Sequence, residues 1–325
     1  MAKTNSPPQR IYKYRGFSDR VLDMLVLDDL YFADPSGFND PLDTRPNLEA
    51  DLPAAELERV LTRLVVERTK AEMTRAAKSI RYTGPRTVEH IDRHSHARAA
   101  RLVDELRYSA GDPCYGNMAD PLQYLLANEI ETELLKRYDR GIVSFGTRAT
   151  CPLMWSHYGD QHRGICAGYS VPDTAVEHLF PVTYGGSRNV SASDVDAMDA
   201  DADARRRVDE AALLRKAPNW RYEKEWRLIG NRGSQSSSLE LEEVIFGMRC
   251  PGTVRYAIVK ALENRRRDVR FYEVPEPHGT FRLRVRPLET GELLSGLPRR
   301  HLDVYEHFDD LDLSASDPDD VPAAL

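Results

Sequence analysis

The sequence predicts an α+β fold, in which a core of split, mixed or mostly antiparallel sheet is interrupted by a large helical insertion. Three observations favour this class. Short stretches with the two-residue alternation of β-strands lie near the start of the chain and again in its second half. Between them, residues 49–139 are rich in Ala, Leu, Glu and Arg, with apolar residues at helical spacing. Strands and helices do not alternate regularly, as they would in a doubly wound α/β protein.

The composition is that of a globular chain without a membrane segment. Its 325 residues are 41% hydrophobic and 30% charged, which suits one large domain or two ordinary ones. The net charge of −7 means that any nucleic-acid surface would have to be a local basic patch. The four cysteines show no C-x-x-C spacing, and the first residues are polar. We therefore expect reduced thiols, a cytoplasmic location and no membrane partner.

The first part of the chain predicts two strands with a helix between them. Residues 11–14 alternate as a short strand, Ser18 is suited to begin a helix that runs to about residue 27, and residues 30–32 form a second strand. Residues 37–41 form a turn-dense loop, because Asn39 and Asp40 precede a proline and favour side-chain-to-backbone turns.

The middle of the chain predicts several helices. Apolar residues recur at helical spacing, and the sequences at 83–85 and 111–113 contain Gly and Pro, which divide the block. The predicted domains are therefore an α+β core at 10–48 and 140–300 and a helical insertion at 49–139. Residues 301–325 are acidic with little hydrophobic periodicity, which indicates a disordered tail.

The second half predicts the remaining strands of the core. Strand patterns lie at 142–145, 164–169, 180–184, 220–229, 241–247, 269–274 and 281–285. Helices are expected at 152–158, within the acidic-then-basic stretch 193–216, and at 253–264. Residues 230–238 are rich in Gly and Ser and are expected to be a loop.

The central candidate for chemistry is the predicted strand at 220–229. Alternation places Glu223, Glu225 and Arg227 on one face, and charges on a half-buried face need partners. Two carboxylates shielded from water can stabilise the positive charge that develops on a ribose carbon. A cross-strand ion ladder would give the same pattern without any chemistry. The pattern alone leaves both interpretations open.

A second cluster of polar and aromatic residues lies within one short predicted helix and the turn after it. His157, Tyr158 and His162 can act on a bound ligand, and Arg163 can hold a phosphate. A packed helix with polar ends explains the same residues. Arg15, at the end of the first strand, is a candidate clamp for phosphate or carboxylate, and arginines at strand ends are also common on solvated surfaces.

Other patterns carry little weight. His90 and His94 have i, i+4 spacing but lack the H-E-x-x-H context of a zinc site. The acidic run that begins at Asp199 has Ala204 where a calcium loop requires Gly, so no metal site is expected. No phosphate loop or dinucleotide fingerprint occurs. The arginines between residues 265 and 286 could form a local basic face for nucleic acid or pair with the acidic tail.

Four blocks of sequence, in order, resemble the bacterial domain-of-unknown-function family 2971. The blocks extend over residues 11 to about 249 and are Tyr12-Lys13-Tyr14-Arg15, Leu30-Tyr31-Phe32-x-x-Pro35-x-x-Phe38-Asn39-Asp40-Pro41-x-Asp43, Met154-Trp155-x-His157-Tyr158-x-x-x-His162-x-Gly164 and Tyr222-Glu223-Lys224-Glu225-Trp226-Arg227. The family brings little functional information with it.

The layout more distantly resembles the ADP-ribosyltransferase superfamily, in particular the nucleic-acid-modifying toxins of bacteria. The resemblance implies an ADP-ribosyltransferase-like fold and NAD as a substrate. The implied catalytic residues are Glu225, Glu223, Tyr158 and His157. The implied cofactor-binding residues are Tyr14, Arg15, Asn39, Asp40, Trp155, His162, Arg163 and Arg227.

The same resemblance implies a transferase that acts on nucleic acid or protein, as a toxin or a phage-defence effector. Nicotinamide would stack on Tyr158 or Trp155, and Glu225 would bond the ribose 2′-hydroxyl. Glu223 would orient or deprotonate the acceptor. The alternative is a non-catalytic or nuclease-like defence protein, in which the helical insertion and the arginine-rich C-terminal part bind nucleic acid.

Overall fold

The computed structural model of the protein describes residues 6–82, 84–138 and 140–299, and its fold is mixed α and β with several small sheets of mixed orientation. The strands are β1 Arg10–Arg15, β2 Asp29–Phe32, β3 Asn47–Glu49, β4 Gly141–Phe145, β5 Ile165–Ser170, β6 Leu179–Pro181, β7 Thr183–Tyr184, β8 Asn189–Ser191, β9 Arg215–Lys216, β10 Trp226–Gly230, β11 Gly233–Ser236, β12 Glu240–Phe246, β13 Arg270–Glu273 and β14 Arg286–Pro287. The helices are α1 Asp19–Val26, α2 Ala54–Ser79, α3 Thr87–Ser109, α4 Pro121–Arg137, α5 Pro152–His157, α6 Asp173–Val176, α7 Ala192–Ala197, α8 Ala202–Leu213, α9 Gly252–Leu262 and α10 Thr290–Ser295.

Two sheets form the core, and the site lies where they separate. One has the order β1-β5-β12-β13-β14, and the other has the order β4-β10-β6. The pairs are antiparallel except for β12 and β13, which are parallel. Strand β1 meets the end of β4 through a single backbone bridge between Tyr12 and Gly146, beyond which the two strands are unpaired. The two sheets therefore separate between β1 and β4.

The main apolar core covers one face of the five-stranded sheet. Buried residues of β1, β5 and β12 pack against α1 and α9. Fully burying each aliphatic side chain contributes about 1.5–3 kcal/mol. Its central members are Ile11, Leu25, Ile165, Ala167, Tyr169, Leu241, Val244, Phe246 and Ile258. Helix α1 follows Ser18 as predicted, although the Ser18 side chain makes no capping bond and the acidic Asp19 occupies the first turn.

The helical block has its own apolar core, which the later chain completes. In α2, Leu57, Val60, Leu61, Leu64 and Val65 are buried at the predicted helical spacing, against α3 and α4. The same cluster contains residues of β8, α7 and α8, namely Val190, Ala192, Val195, Met198, Val208 and Ala211. A segment that the sequence pattern places in the α+β core therefore packs with the helices of 49–139.

Some predicted elements differ from the structure. The strand at 220–229 forms only from Trp226, the predicted loop at 230–238 contains β11, and the strand at 281–285 is replaced by the short β14. The predicted helix within 193–216 is divided into α7, α8 and β9. These segments are short or polar, so pairing with distant strands decides their conformation rather than local pattern. The predicted tail at 301–325 lies outside the described residues. Among the residues described, no helix is long and apolar enough to cross a membrane.

Candidate functional site

The two glutamates at the centre of the candidate site stand on a turn rather than on a strand. Residues Pro218–Glu223 form a 3-10 helix with a proline at its first position. Lys224 then adopts the left-handed conformation, with φ 46° and ψ 52°, and β10 begins at Trp226. The sequence did not indicate this turn, because its charges alternate as they would in a strand. The left-handed residue is a lysine, whereas glycine is the residue that usually marks this conformation. Lys224 itself is exposed.

An ammonium group holds the two glutamates together. Nζ of Lys216, at the end of β9, lies 2.5 Å from Glu223 Oε2 and 2.9 Å from Glu225 Oε2. The same nitrogen is 3.5 Å from Asp43 Oδ2. All four side chains are at most 5% exposed. Burial works to lower the pKa of Lys216, but the three carboxylates outweigh it and raise that pKa, so the lysine stays charged.

Arg227 occupies the other side of the same cluster. Its guanidinium donates to Glu225 Oε1 at 2.8 Å, to both carboxylate oxygens of Asp43 at 2.7 Å, and to the Leu213 carbonyl at 2.6 Å. The side chain is fully buried. Arg227 was predicted to bind the cofactor, but its nitrogens are bonded inside the protein and it does not line the cavity described below. It anchors Glu225 and Asp43 instead.

The cluster of Asp43, Lys216, Glu223, Glu225 and Arg227, called the cavity cluster below, holds three carboxylates against two cations, a net charge of −1 when all are ionised. Burial alone would raise the pKa of Glu225, but Arg227 and Lys216 overcome it and lower that pKa to about 2. For Glu223, burial prevails over Lys216 and raises the pKa. One glutamate is thus a fixed anion, and its neighbour is the easier to protonate.

The helix that bears the predicted aromatic cluster meets these carboxylates. Tyr158, directly after α5, donates its hydroxyl hydrogen to Glu223 Oε1 at 2.7 Å. The amide of Asn39 donates to the same hydroxyl at 3.3 Å. Burial and the Glu223 charge raise the pKa of Tyr158, so the phenol stays protonated. The structure therefore brings together Glu223, Glu225, Tyr158 and Asn39, four of the residues that the sequence singled out.

These groups surround a cavity of about 260 Å³ between β1 and β4. Its polar floor contains Glu223, Glu225, Lys216 and Asp43. Its walls add Tyr12, Lys13, Tyr14 and Arg15 from β1, Ile142, Ser144, Phe145 and Gly146 from β4 and its end, and Phe38, Asn39, Met154 and Tyr158. The cavity combines apolar and aromatic walls with a few convergent charged groups, which is typical of a small-molecule site.

A strained turn joins the two sides of the cavity. Asp160, Gln161 and His162 are three consecutive non-glycine residues with positive φ, at 49°, 52° and 71°. The turn leads into Gly164, where an added Cβ would lie 2.1 Å from the carbonyl oxygen of Arg15. Left-handed non-glycine residues cost about 1–3 kcal/mol each and concentrate at functional sites. Here the turn holds Tyr158 and the end of β1 at a fixed separation.

Several predicted contact residues lie away from the cavity. Trp155 is fully buried, stacks on His162 and donates to the Ala149 carbonyl at 2.8 Å, so neither ring is free to hold nicotinamide. His157 is exposed and stacks on Tyr222. Arg163 is exposed. None of these four residues lines the cavity, which this segment of the chain reaches through Met154 and Tyr158 instead.

Asp40 has a structural contact in place of the predicted ligand contact. Its carboxylate accepts a hydrogen bond from Trp220 Nε1 at 2.8 Å, which ties the loop after β2 to the 3-10 turn. Tyr14 and Arg15 both line the cavity. The Tyr14 hydroxyl donates to the Arg148 carbonyl at 2.6 Å, so this ring is held in place by the backbone.

Sequence reasoning missed three charged members of the site. Lys216 looked like the solvated end of a helix, and its position between Leu214 and Pro218 gave no hint of burial. Asp43 was present in the second family block without being given a role. Lys13 shares a strand face with the buried Ile11, and a lysine on an apolar face was the one available indication.

Charged side chains at the site and in the C-terminal part of the chain form ion pairs. Among the residues that the structure describes, no group of His, Cys, Asp and Glu is arranged to hold a metal ion. Three carboxylates that converge in the cavity cluster surround the Lys216 ammonium. Several C-terminal arginines pair with core carboxylates: Arg265 with Asp28, Arg267 with Glu240, Arg255 and Arg286 with Glu273.

A larger hollow of about 660 Å³ lies elsewhere, between the three-stranded sheet and the helical layer. Its charged lining includes Arg137 and Arg205, both of which are bound to Asp199 at 2.5 and 2.8 Å. Tyr138 in the same wall donates to Asp209 at 2.5 Å. Because these groups satisfy one another, we place the candidate site in the smaller cavity, where buried charge is unbalanced.

Comparison with known proteins supports part of the resemblance. The profile of DUF2971, a family described as proteins of unknown function, matches residues 154–228. The matched segment contains Tyr158, Lys216, Glu223, Glu225 and Arg227, and it excludes β1 and the Asn39–Asp43 loop. No curated protein and no solved structure matches the chain.

Proposed function

We propose that the cavity cleaves the bond between nicotinamide and ribose in NAD and transfers the ADP-ribosyl group to a nucleic-acid or protein acceptor. The observation that carries the proposal is the buried cluster with net charge −1 on the cavity floor. Ionisation of a glycosidic bond places positive charge on the ribose C1 and its ring oxygen. An ionised carboxylate fixed beside that carbon and shielded from water stabilises the transition state.

Glu225 is the residue best suited to face the developing cation. Arg227 and Lys216 hold its carboxylate in one orientation and lower its pKa to about 2, so it is an anion at every physiological pH. A prearranged charge needs no reorganisation when the bond breaks. The remaining lone pairs of its oxygens can accept a hydrogen bond from the ribose 2′-hydroxyl.

Glu223 and Tyr158 are suited to proton movement. Burial raises the pKa of Glu223, so this pKa lies nearer to neutral pH than the pKa of Glu225 does. Glu223 can therefore accept the proton of the incoming acceptor, while Tyr158, at 2.7 Å, orients the carboxylate. The proposed reaction balances. The C1–N bond to nicotinamide breaks, and the electrons of that bond leave with nicotinamide. The acceptor then bonds to C1, and the proton of the acceptor goes to Glu223.

The walls of the cavity suit the rest of the nucleotide. Tyr12, Tyr14 and Phe38 offer rings for an apolar contact with nicotinamide. Arg15, exposed at the end of β1, is placed to hold the pyrophosphate. The separation of β1 from β4, which the split sheet of an ADP-ribosyltransferase-like fold would require, supports the proposal.

The test uses NAD labelled in its adenosine part, incubated with the full-length protein and with cell lysate as a source of acceptors. We expect nicotinamide release and label on nucleic acid or protein. Glu225→Gln should lower the rate by about 10²–10³-fold. Glu223→Gln is the second variant, and Glu105→Gln, an exposed residue of α3, is the matched control and should leave the rate unchanged.

Two outcomes would overturn the proposal. One is the absence of nicotinamide release from the wild-type protein with every acceptor fraction. The other is full release by Glu225→Gln and Glu223→Gln variants that melt cooperatively and are therefore folded. Label that depends on the lysate fraction digested by nuclease would identify nucleic acid as the acceptor, and dependence on the protease-sensitive fraction would identify protein.

A further inference from the structure

Lys13 carries a buried amine in the wall of the cavity. It has no role in the proposed transfer of the ADP-ribosyl group. Its side chain projects from the middle of β1 and is 8% exposed. Nζ donates to the Ser144 carbonyl oxygen at 2.9 Å and lies 5.4 Å from the centre of the Phe145 ring. Within the described ranges, Lys13 has no carboxylate at ion-pair distance, whereas Lys216 on the opposite side of the cavity has three.

The surroundings of Lys13 favour its uncharged form. Burial lowers its pKa well below the usual value, and the positive charge of Arg15 lowers it further, while Glu225 opposes the change. Burial of a lysine without a counter-ion is one of the standard ways in which proteins make an amine nucleophilic near neutral pH. An uncharged amine that donates one hydrogen to Ser144 keeps its lone pair for a reaction partner.

We propose that Lys13 is a nucleophile that forms an imine with the open-chain aldehyde of a pentose held in the cavity. The geometry supports it because Lys13, Glu223, Glu225 and Tyr158 line the same space of about 260 Å³. This proposal rests on the proposed function only for the choice of a ribose-type substrate. Arg15, two residues along the same strand face, is placed to hold a phosphate on the sugar.

The reaction balances without any oxidant or reductant. The lone pair of Lys13 Nζ adds to the aldehyde carbon, and the carbonyl oxygen becomes a hydroxyl group. That hydroxyl leaves as water after it receives a proton, and Glu223 can supply the proton because burial raises its pKa. The product is a protonated imine, and its positive charge balances the net −1 of the cavity cluster.

The experiment traps the imine with cyanoborohydride in the full-length protein. Ribose 5-phosphate is the probe, at pH 7, and intact mass measures the adduct, which adds the mass of the sugar less one oxygen. Peptide mapping compares Lys13 with the exposed Lys224 in the same sample. We expect one main adduct, at Lys13, formed roughly 100-fold faster than at Lys224, because Lys13 faces the cavity with its pKa lowered by burial, whereas Lys224 is exposed and does not line the cavity.

The comparison of two lysines within the wild-type protein makes the test independent of whether a variant folds. Lys13→Arg should lose the adduct, and Lys224→Arg should keep it. Equal labelling of Lys13 and exposed lysines, or labelling elsewhere in a folded Lys13→Arg variant, overturns the proposal. Trapping needs no NAD cleavage, so an adduct without nicotinamide release would refute only the proposed function, and release without an adduct would refute only the role of Lys13.

Discussion

Two ion clusters in this protein have opposite compositions. The cavity cluster has three carboxylates and two cations, with exposures of 0–5%. In the helical layer, Asp199 is bound by Arg63, Arg137 and Arg205 at 2.6, 2.5 and 2.8 Å. We call these four residues the Asp199 cluster, and its members are 27–48% exposed.

The difference in burial indicates different roles. The Asp199 cluster joins α2, α4 and α8 where water can screen it, and exposed ion pairs contribute at most about 1 kcal/mol each. The cavity cluster lies where desolvation is expensive, and such a cluster is weak evidence for stability by itself. Retaining an excess of negative charge beside an open cavity is costly unless a ligand or a reacting centre uses it. That contrast leads us to the cavity as the site.

The largest expected effect comes from replacing an arginine in each of the two clusters. In Arg227→Met, the carboxylates of Asp43 and Glu225 lose their main buried partner, and we expect a loss of about 3–5 kcal/mol in the free energy of unfolding. The same change at Arg205, which is 48% exposed, should cost less than about 1 kcal/mol. Urea unfolding of both variants measures this. Equal losses in the free energy of unfolding would contradict the prediction that burial makes Arg227 the more important of the two.

The next effect concerns pH. The pKa of Glu225 is about 2 in the folded protein and near its ordinary value of 4.5 when unfolded. A lowered folded pKa stabilises the protein above the unfolded value, and the stabilisation disappears as pH falls from about 4.5 towards 2. The shift corresponds to about 3 kcal/mol, as an order of magnitude.

We therefore expect the stability difference between the wild-type protein and Glu225→Gln to be largest at pH 7 and to shrink below pH about 4.5. Denaturant titrations at several pH values measure it. Asp199→Asn serves as the control, because Asp199 is partly exposed and its difference should be smaller throughout. A gap between wild type and Glu225→Gln that is independent of pH would contradict the ionised state assigned to Glu225.

The smallest expected effect concerns the hydrogen bond that connects the cavity cluster to Tyr158, directly after α5. Tyr158→Phe removes the hydroxyl that donates to Glu223 at 2.7 Å, and we expect a loss of about 1 kcal/mol in stability. Tyr124→Phe, on the exposed side of α4, is the matched control and should be neutral. Thermal melts of both variants check the prediction, and identical melting temperatures in the three proteins would mean that this bond contributes nothing.

The outline of the fold could be predicted because strong local patterns matched the final packing. The apolar spacing of α2 and the alternation in the first half of β1 and of β12 agree with buried positions, and β5 is buried along nearly its whole length. The stretch at 220–229 was misassigned because its alternation of charged and aromatic residues fits a strand. A proline and a left-handed Lys224 produce a turn there instead, and long-range contacts such as that of Trp220 with Asp40 help to hold it.

The site residues divide in the same way. Glu223, Glu225 and Tyr158 were identified because their residue types and spacing suggested chemistry. Asp43 and Lys216 were missed because nothing in their immediate neighbours shows that they are buried, and for Lys13 the apolar face that it shares with Ile11 was the one indication. Arg227 and Trp155 were assigned to ligand binding, yet both side chains donate hydrogen bonds to carbonyl groups inside the protein.

The sequence by itself determined the mixed α and β class, the helical block and two of the three carboxylates of the cavity cluster, because these depend on periodicity and residue type over short windows. Only the tertiary structure decided which charges meet. Lys216 neutralises glutamates seven and nine residues further on, and Arg227 reaches an aspartate 184 residues away. Such pairings depend on how the strands and turns cross in space, and the sequence pattern carries no information about that crossing.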